Sequence, residues 1–322
     1  MRRRLTLYLV AICLVLGVNP KAVAQVPDTW IFTQFDFPRN DVTGTSPYNI
    51  NDAGDAVGGY TLAGEFNHDH GFLRTRNGEF TPIDVPGANL SVASGINSHG
   101  DIAGPYRLAT DPMMSRRGFI LRNGAFTSFS VPDPNAVDGR AVFTQPLYIN
   151  DRGDVVGRFC RRVVPVNCTG ALGSDTHGFL RTAEGDFFTI DVPGALQTTA
   201  WSINNSGQIV GAYWSADDRK IHVFQLSDGQ ITTIDLPFEP TWPRGGITTR
   251  GDIVGTFGDV PFRGFLLSRD GDITVIDFPE AANTAVHGTS PRGDLIVGIY
   301  TNSDGDTHSF IASRKERGEE PK

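Results

Sequence analysis

The sequence predicts an all-β chain, a six-bladed β-propeller of four-stranded antiparallel blades whose ring is closed by an N-terminal strand completing the last blade. Three observations predict it. One phrase recurs six times along the chain. Gly numbers 37 and Pro 20 of 322 residues, a usage that suits many short strands and tight turns. The last repeat lacks its fourth strand, while a spare strand precedes the first.

The recurring phrase reads INDAGDAVGGY from Ile50, INSHGDIAGPY from Ile96, INDRGDVVGRF from Ile149, INNSGQIVGAY from Ile203 and ITTRGDIVGTF from Ile247. A looser sixth copy, TSPRGDLIVGIY, begins at Thr289. A second phrase follows each copy, as in HGFLR from His70 and RGFLL from Arg263. A third, such as IDVPGA from Ile83 and again from Ile190, closes five of the six. Each unit therefore reads as four strands. The first ends at the Ile-Asn step, and a turn through glycine leads into the second. The third carries Gly-Phe. Steps such as Asn77-Gly78 and Asp270-Gly271 supply the positive φ of a tight hairpin before the fourth. Proline ends strand four because it cannot donate to the ladder.

Strands two and three carry apolar residues on both faces, as in Asp252-Ile253-Val254-Gly255. That pattern requires a neighbour on each side. Four-stranded units of about 40–45 residues that stack on copies of themselves are propeller blades. The repeats span about 48–88, 94–134, 147–195, 201–239, 245–281 and 287–311, with the orphan strand at 32–38. Pairing that strand with repeat six leaves no open terminal blade, which manages the edge problem.

Before the propeller, Met1-Arg2-Arg3-Arg4, an apolar run from Leu5 to Val18 and Ala22-Val23-Ala24 form the pattern of a secretory signal peptide. Cleavage after Ala24 is expected, leaving a protein secreted to the extracellular space or the periplasm. The apolar run falls short of the roughly 20 residues a membrane span needs, so no span is expected after cleavage. The propeller occupies 25–311 and a charged tail 312–322. The net charge is −8, and the residues after the signal hold 24 basic against 36 acidic groups. An acidic body without a basic tract argues against nucleic-acid binding. Beyond the signal, Cys160 and Cys168 share one loop, where a local disulfide is expected in an oxidising compartment.

The phrases HGFL, IDVPGA and IN-x-x-GDIVG-x-Y, repeated in that order from about Phe32 to Ile311, resemble the extracellular HAF repeat proteins of bacteria. The resemblance implies a secreted repeat propeller without a common established activity. Val223 and Ser309 stand where that pattern has Gly, and Ser130 where it has the strand-four Asp.

Several patterns invite a chemical reading. Asp84, Asp191, Asp235 and Asp277, with Asp36, recur at the end of strand four, which a propeller places on its outer rim. Carboxylates spread around a rim cannot share a substrate, so a structural role bonding a turn amide is expected. His70, His177, His222 and His308 share one position on strand three, a packing signature and not a cluster. Phe72, Phe119, Phe179, Phe224, Phe265 and Phe310 are expected in the core between blades. The Asn-x-x-Gly-Asp turns lack the spaced oxygen ligands and late acid of a calcium loop. Asn302, Asp304 and Asp306 form the better calcium candidate, but the loop occurs once. No other cofactor is indicated. No hydrolase elbow, Walker loop, dinucleotide fingerprint or HExxH motif occurs.

The connections between strands two and three, and between strands four and one, vary in length, the longest running from Arg158 to Thr176 and from Asp133 to Pro146. Both sets emerge on one face of the ring. Variable loops on one face mark a binding surface. Its expected contacts are Tyr106, Arg107, Met113, Met114, Arg161, Arg162, Trp201, Tyr213, Trp214, Trp242 and Arg244, since aromatic and Arg side chains anchor interfaces and sugar platforms. The expected function is a secreted, monomeric, non-catalytic binding module whose partner is a glycan, an envelope component or another secreted protein. The alternative is an extracellular hydrolase or lyase at the channel mouth, with a divalent cation. Converging His, Asp, Glu or Asn side chains at the axial opening would favour the enzyme.

Overall fold

The computed structural model describes residues 13–14, 30–65, 68–134, 136, 138–161 and 175–315. Every regular element among them is a strand, and no helix there is long and apolar enough to cross a membrane. The strands form the six antiparallel blades that the repeats predict. Blade one holds Val42–Ile50, Ala56–Leu62, Asp69–Arg74 and Phe80–Ile83. In blade two the first strand is split into Ala88–Ser91 and Gly95–Ile96, followed by Ile102–Leu108, Arg117–Arg122 and Ala125–Phe129. Blade three has Phe143–Ile149, Val155–Cys160, Thr176–Arg181 and Phe187–Ile190. Blade four has Ala195–Ile203, Ile209–Ser215, Ile221–Ser227 and Gln230–Ile234. Blade five has Thr241–Ile247, Ile253–Phe257, Arg263–Leu267 and Ile273–Ile276.

Blade six holds Asn283–Thr289, Leu295–Thr301 and Thr307–Arg314, and takes Trp30–Phe35 as its fourth strand. The pairing runs antiparallel from Trp30 opposite Arg314 to Phe35 opposite Ser309. Beyond that strand, Phe37 stacks on Tyr60 of blade one at 3.9 Å. The opening segment thus completes blade six and packs onto blade one. A two-residue segment, Cys13–Leu14, runs parallel to the outer strand of blade four. The expected tail 312–322 starts later than its charge pattern suggested, because Ala312, Ser313 and Arg314 still pair with the opening strand in blade six; residues 316–322, the rest of the expected signal 1–24 and its cleavage point lie outside the described residues.

The core is divided among the clefts between neighbouring blades. Ala103 and Ile120 of blade two meet Ile149, Val155 and Phe179 of blade three. Val254 and Leu266 of blade five meet Val286, Ile296 and Phe310 of blade six. Within each blade the strand-three Phe is fully buried over a glycine of strand two. At Gly255 a Cβ would lie 2.4 Å from the Trp242 carbonyl oxygen and 2.7 Å from the Phe265 ring. The Phe ring needs that space, which is why Val-Gly or Ala-Gly recurs in every copy of the phrase.

The Ile-Asn turns tie the blades together on the opposite face from the variable loops. Asn97 Oδ1 accepts from the amides of His99 and Asp101 inside its own turn. Its Nδ2 donates to the Asn150 carbonyl of the next blade at 3.1 Å. Asn51 reaches Asn97, Asn150 reaches Asn204, and Asn204 reaches Thr248 in the same way. The Thr249 amide continues the belt to the Pro291 carbonyl, and the Arg292 amide closes it onto the Asp52 carboxylate.

Candidate functional site

The first strand of each blade lies nearest the axis and begins before the repeat phrase does. Two residues ahead of the Ile-Asn step, the six copies carry Tyr48, Ser94, Leu147, Trp201, Gly245 and His287. Five of these line a cavity of about 310 Å³. At the sixth, the lack of a side chain on Gly245 accompanies a break in register between Trp242 and Gly246, and Arg244 enters the cavity from there. Asp69, Arg116 and Arg158 stand where strands two and three meet the variable loops, so the cavity opens on that face.

His287 sets Nδ1 3.0 Å from the Pro47 carbonyl oxygen. A carbonyl only accepts, so Nδ1 donates and Nε2 keeps a free lone pair. Burial, then the nearby Arg244 charge, push the imidazole down to about 4, so it is neutral at pH 7. Its ring lies 5.9 Å from that of Tyr48. Burial, aided by the Asp69 charge, raises the Tyr48 phenol, while Arg244 acts against it. Burial raises the Asp69 carboxyl too, against the pull of Arg116. No hydrogen bond joins Asp69, Tyr48 and His287, so titratable groups gather at the opening without forming a relay.

Arg244 is the central cation. Its guanidinium sits 5.1 Å from the ring centroid of Trp201 and 5.4 Å from that of Trp242. Burial holds it below its ordinary value, and no carboxylate among the described residues pairs with it. Arg116 donates to the Ser115 carbonyl at 2.8 Å, and burial together with Arg107 pushes it down to about 10. Arg158 donates to Gln145 Oε1 at 2.8 Å. Among the described residues the charged lining is therefore three guanidinium groups against one carboxylate, inside an otherwise acidic protein.

The other residues expected on the binding face are spread widely. Trp214, Trp242 and Tyr213 border a smaller pocket of about 100 Å³, which shares Arg158, Trp201 and Arg244 with the main cavity. Tyr106 is buried, its hydroxyl 2.6 Å from Ser128 Oγ. Arg107 is buried as well and clasps its loop through Asn89 and the Met113 carbonyl. Met113 and Met114 are exposed. Arg161 lies over the Phe159 ring, and Arg162 falls outside the described residues. Sequence reading passed over Tyr48, Arg116 and His287, and set Asp69 aside with His68 as a loop pair of low specificity. For Tyr48 and His287 a usable signal existed, a position that changes in every copy beside a step that recurs.

The rim carboxylates bond side chains of strand three instead of the turn amides expected of them. His177 Nδ1 meets Asp191 at 2.8 Å, His308 Nδ1 meets Asp36 at 2.8 Å, and Arg263 replaces His opposite Asp277 at 2.7 Å. Where Ser130 replaces the rim Asp, Arg117 turns to Asp111. The aromatic residue ending strand two covers the His, as Tyr213 does His222 at 5.2 Å. In the calcium candidate, Asn302 Oδ1 accepts from the Asp304 and Asp306 amides, the same turn that Asn51 makes. No group of three or more His, Cys, Asp or Glu suited to a metal occurs among the described residues. Cys160 is buried with Sγ 3.5 Å from Thr176 Oγ1. Its expected partner Cys168 lies outside the described residues.

No protein-family model matches the chain, and neither does any curated protein. Solved structures do. A protein of unknown function from Dyadobacter fermentans is 9% identical over 90% of this chain and 100% of its own, with a TM-score of 0.55. TolB from Acinetobacter baumannii is 13% identical over 86% of this chain and 66% of its own, at a TM-score of 0.49. A gluconolactonase from Xanthomonas campestris is 11% identical over 85% and 87%, also at 0.49. The first likeness is one of fold: this chain is a six-bladed β-propeller.

Proposed function

We propose that the chain is an exported binding module of the HAF repeat type, taking a glycan into the mouth of its axial cavity. One observation carries this reading. A scaffold that repeats its core and turn residues places six different residues at the equivalent position around its axis. Repeated residues serve the ring, and variation at the centre serves whatever enters it. Trp201 and Trp242 offer the aromatic faces on which sugar rings stack, beside a small number of polar groups that fix orientation. Envelope components and secreted proteins that carry such glycans remain within the reading. Calcium enters only as an additive to test at Asn302, Asp304 and Asp306.

A thermal-shift screen of the exported chain against a glycan panel, with and without calcium, tests the proposal. The expected result is a ligand-dependent rise in melting temperature that disappears in Trp201→Ala. A panel without any rise would remove the reading. Mass spectrometry of the protein recovered from culture medium and periplasm tests export, with Gln25 expected as the first residue.

The gathering of Asp69, Tyr48 and neutral His287 favours a second reading, a hydrolase or lyase at the same mouth. Product formation from a bound glycan, lost in His287→Gln while binding persists, would select it.

A further inference from the structure

The lining of the cavity bears on the class of glycan it would take. Resting on the binding reading above, we infer that the ligand is an acidic saccharide whose carboxylate docks on Arg244 while a sugar face stacks on Trp201. Three features carry the inference. First, Arg244 is a cation without a carboxylate partner among the described residues, and its guanidinium lies over two indole rings, those of Trp201 and Trp242. A planar guanidinium presents a fork of N–H donors that matches a carboxylate. Second, more cations than carboxylates line the cavity around it. Arg116 and Arg158 line the same cavity, and among the described residues Asp69 is the one carboxylate that lines it. An entering anion therefore meets a local positive excess in a recess where water screens weakly. Third, the Nε1 donors of Trp201 and Trp214 are buried and have no hydrogen-bond partner among the described residues. Both tryptophans line the pocket that Arg244 shares. Buried donors of this kind occur where a bound group or water normally completes the site.

Calorimetric titration with oligogalacturonate, and with the same oligosaccharide as its methyl ester, tests the assignment. Both probes share their sugar faces and differ in charge. The expected result is binding of the acid at least tenfold tighter than the ester, with Arg244→Gln removing the difference and Arg244→Lys restoring part of it. Equal affinity for acid and ester, both lost in Trp201→Ala, would overturn the acidic assignment and leave the binding reading standing. Binding of neither probe would also overturn it, while neutral glycans that raise the melting temperature would still uphold the wider reading. If Arg244→Gln fails to fold, salt decides on the unaltered protein. Ester-like affinity of the acid at every ionic strength contradicts the proposal.

Discussion

Two neighbouring positions on the same six inner strands tell opposite stories. At the turn end, Asn51, Asn97, Asn150 and Asn204 repeat one set of hydrogen bonds and chain each blade to the next. Three residues earlier, Tyr48, Ser94, Leu147, Trp201, Gly245 and His287 share a location and nothing else. Where identical side chains recur around a ring, each answers the same local demand, here capping a turn and holding a neighbour. Where they diverge on an unchanged backbone, the scaffold no longer dictates them. The contrast separates residues that hold this propeller together from those that give it a use.

The largest effect that sharpens the contrast is expected on the scaffold side. Gly255→Val would drive a side chain into the Trp242 carbonyl and the Phe265 ring. Overpacking against backbone should cost about 3 kcal/mol or more, read as loss of soluble protein or a steep fall in melting temperature. Next is the acid response. His287 lies near 4 when folded against about 6.5 unfolded, so the unfolded chain binds the extra proton between these values. Its stabilising contribution is present above pH 6.5 and is lost as pH falls towards 4, by roughly 2 to 3 kcal/mol. Urea unfolding at stepped pH should show that slope, and His287→Gln should flatten it.

Asn204→Ala should follow at about 2 kcal/mol, since it strips the Ser206 and Gln208 amides of their acceptor and cuts the tie to blade five. Chemical denaturation measures it. The rim should matter least. Burial opposes charge on His177, but Asp191 and Asp175 outweigh it and raise the imidazole above its ordinary value. Its contribution is therefore complete below pH 6.5 and lost as pH rises through the folded value, the reverse of His287. These partners are partly exposed, so Asp191→Asn should cost under about 1 kcal/mol.

The fold was legible because its determinants are local and repeated. A glycine in each turn, a Gly under each Phe and a proline after strand four state the same instruction in every blade. Ring closure was legible from a missing strand and a spare one. The site was only partly legible. Trp201, Trp242 and Arg244 could be named as residue types that bind, but Tyr106 and Arg107 are of the same types and serve the core and a loop. Sequence does not say which aromatic residue faces inward once a bulge shifts the register, as at Trp242 to Gly246. Asp69 and Arg116 come from neighbouring blades, and only the assembled ring brings them to one opening.

The most direct test sets one residue of the cavity against one of the turn belt. Arg244→Gln and Asn204→Ala are compared in melting temperature and in oligogalacturonate affinity. The account predicts that Arg244→Gln melts with the unaltered protein and loses at least tenfold in affinity, whereas Asn204→Ala melts lower and binds normally while folded. An Arg244→Gln protein that melts as low as Asn204→Ala, or that binds as tightly as the unaltered chain, would contradict it.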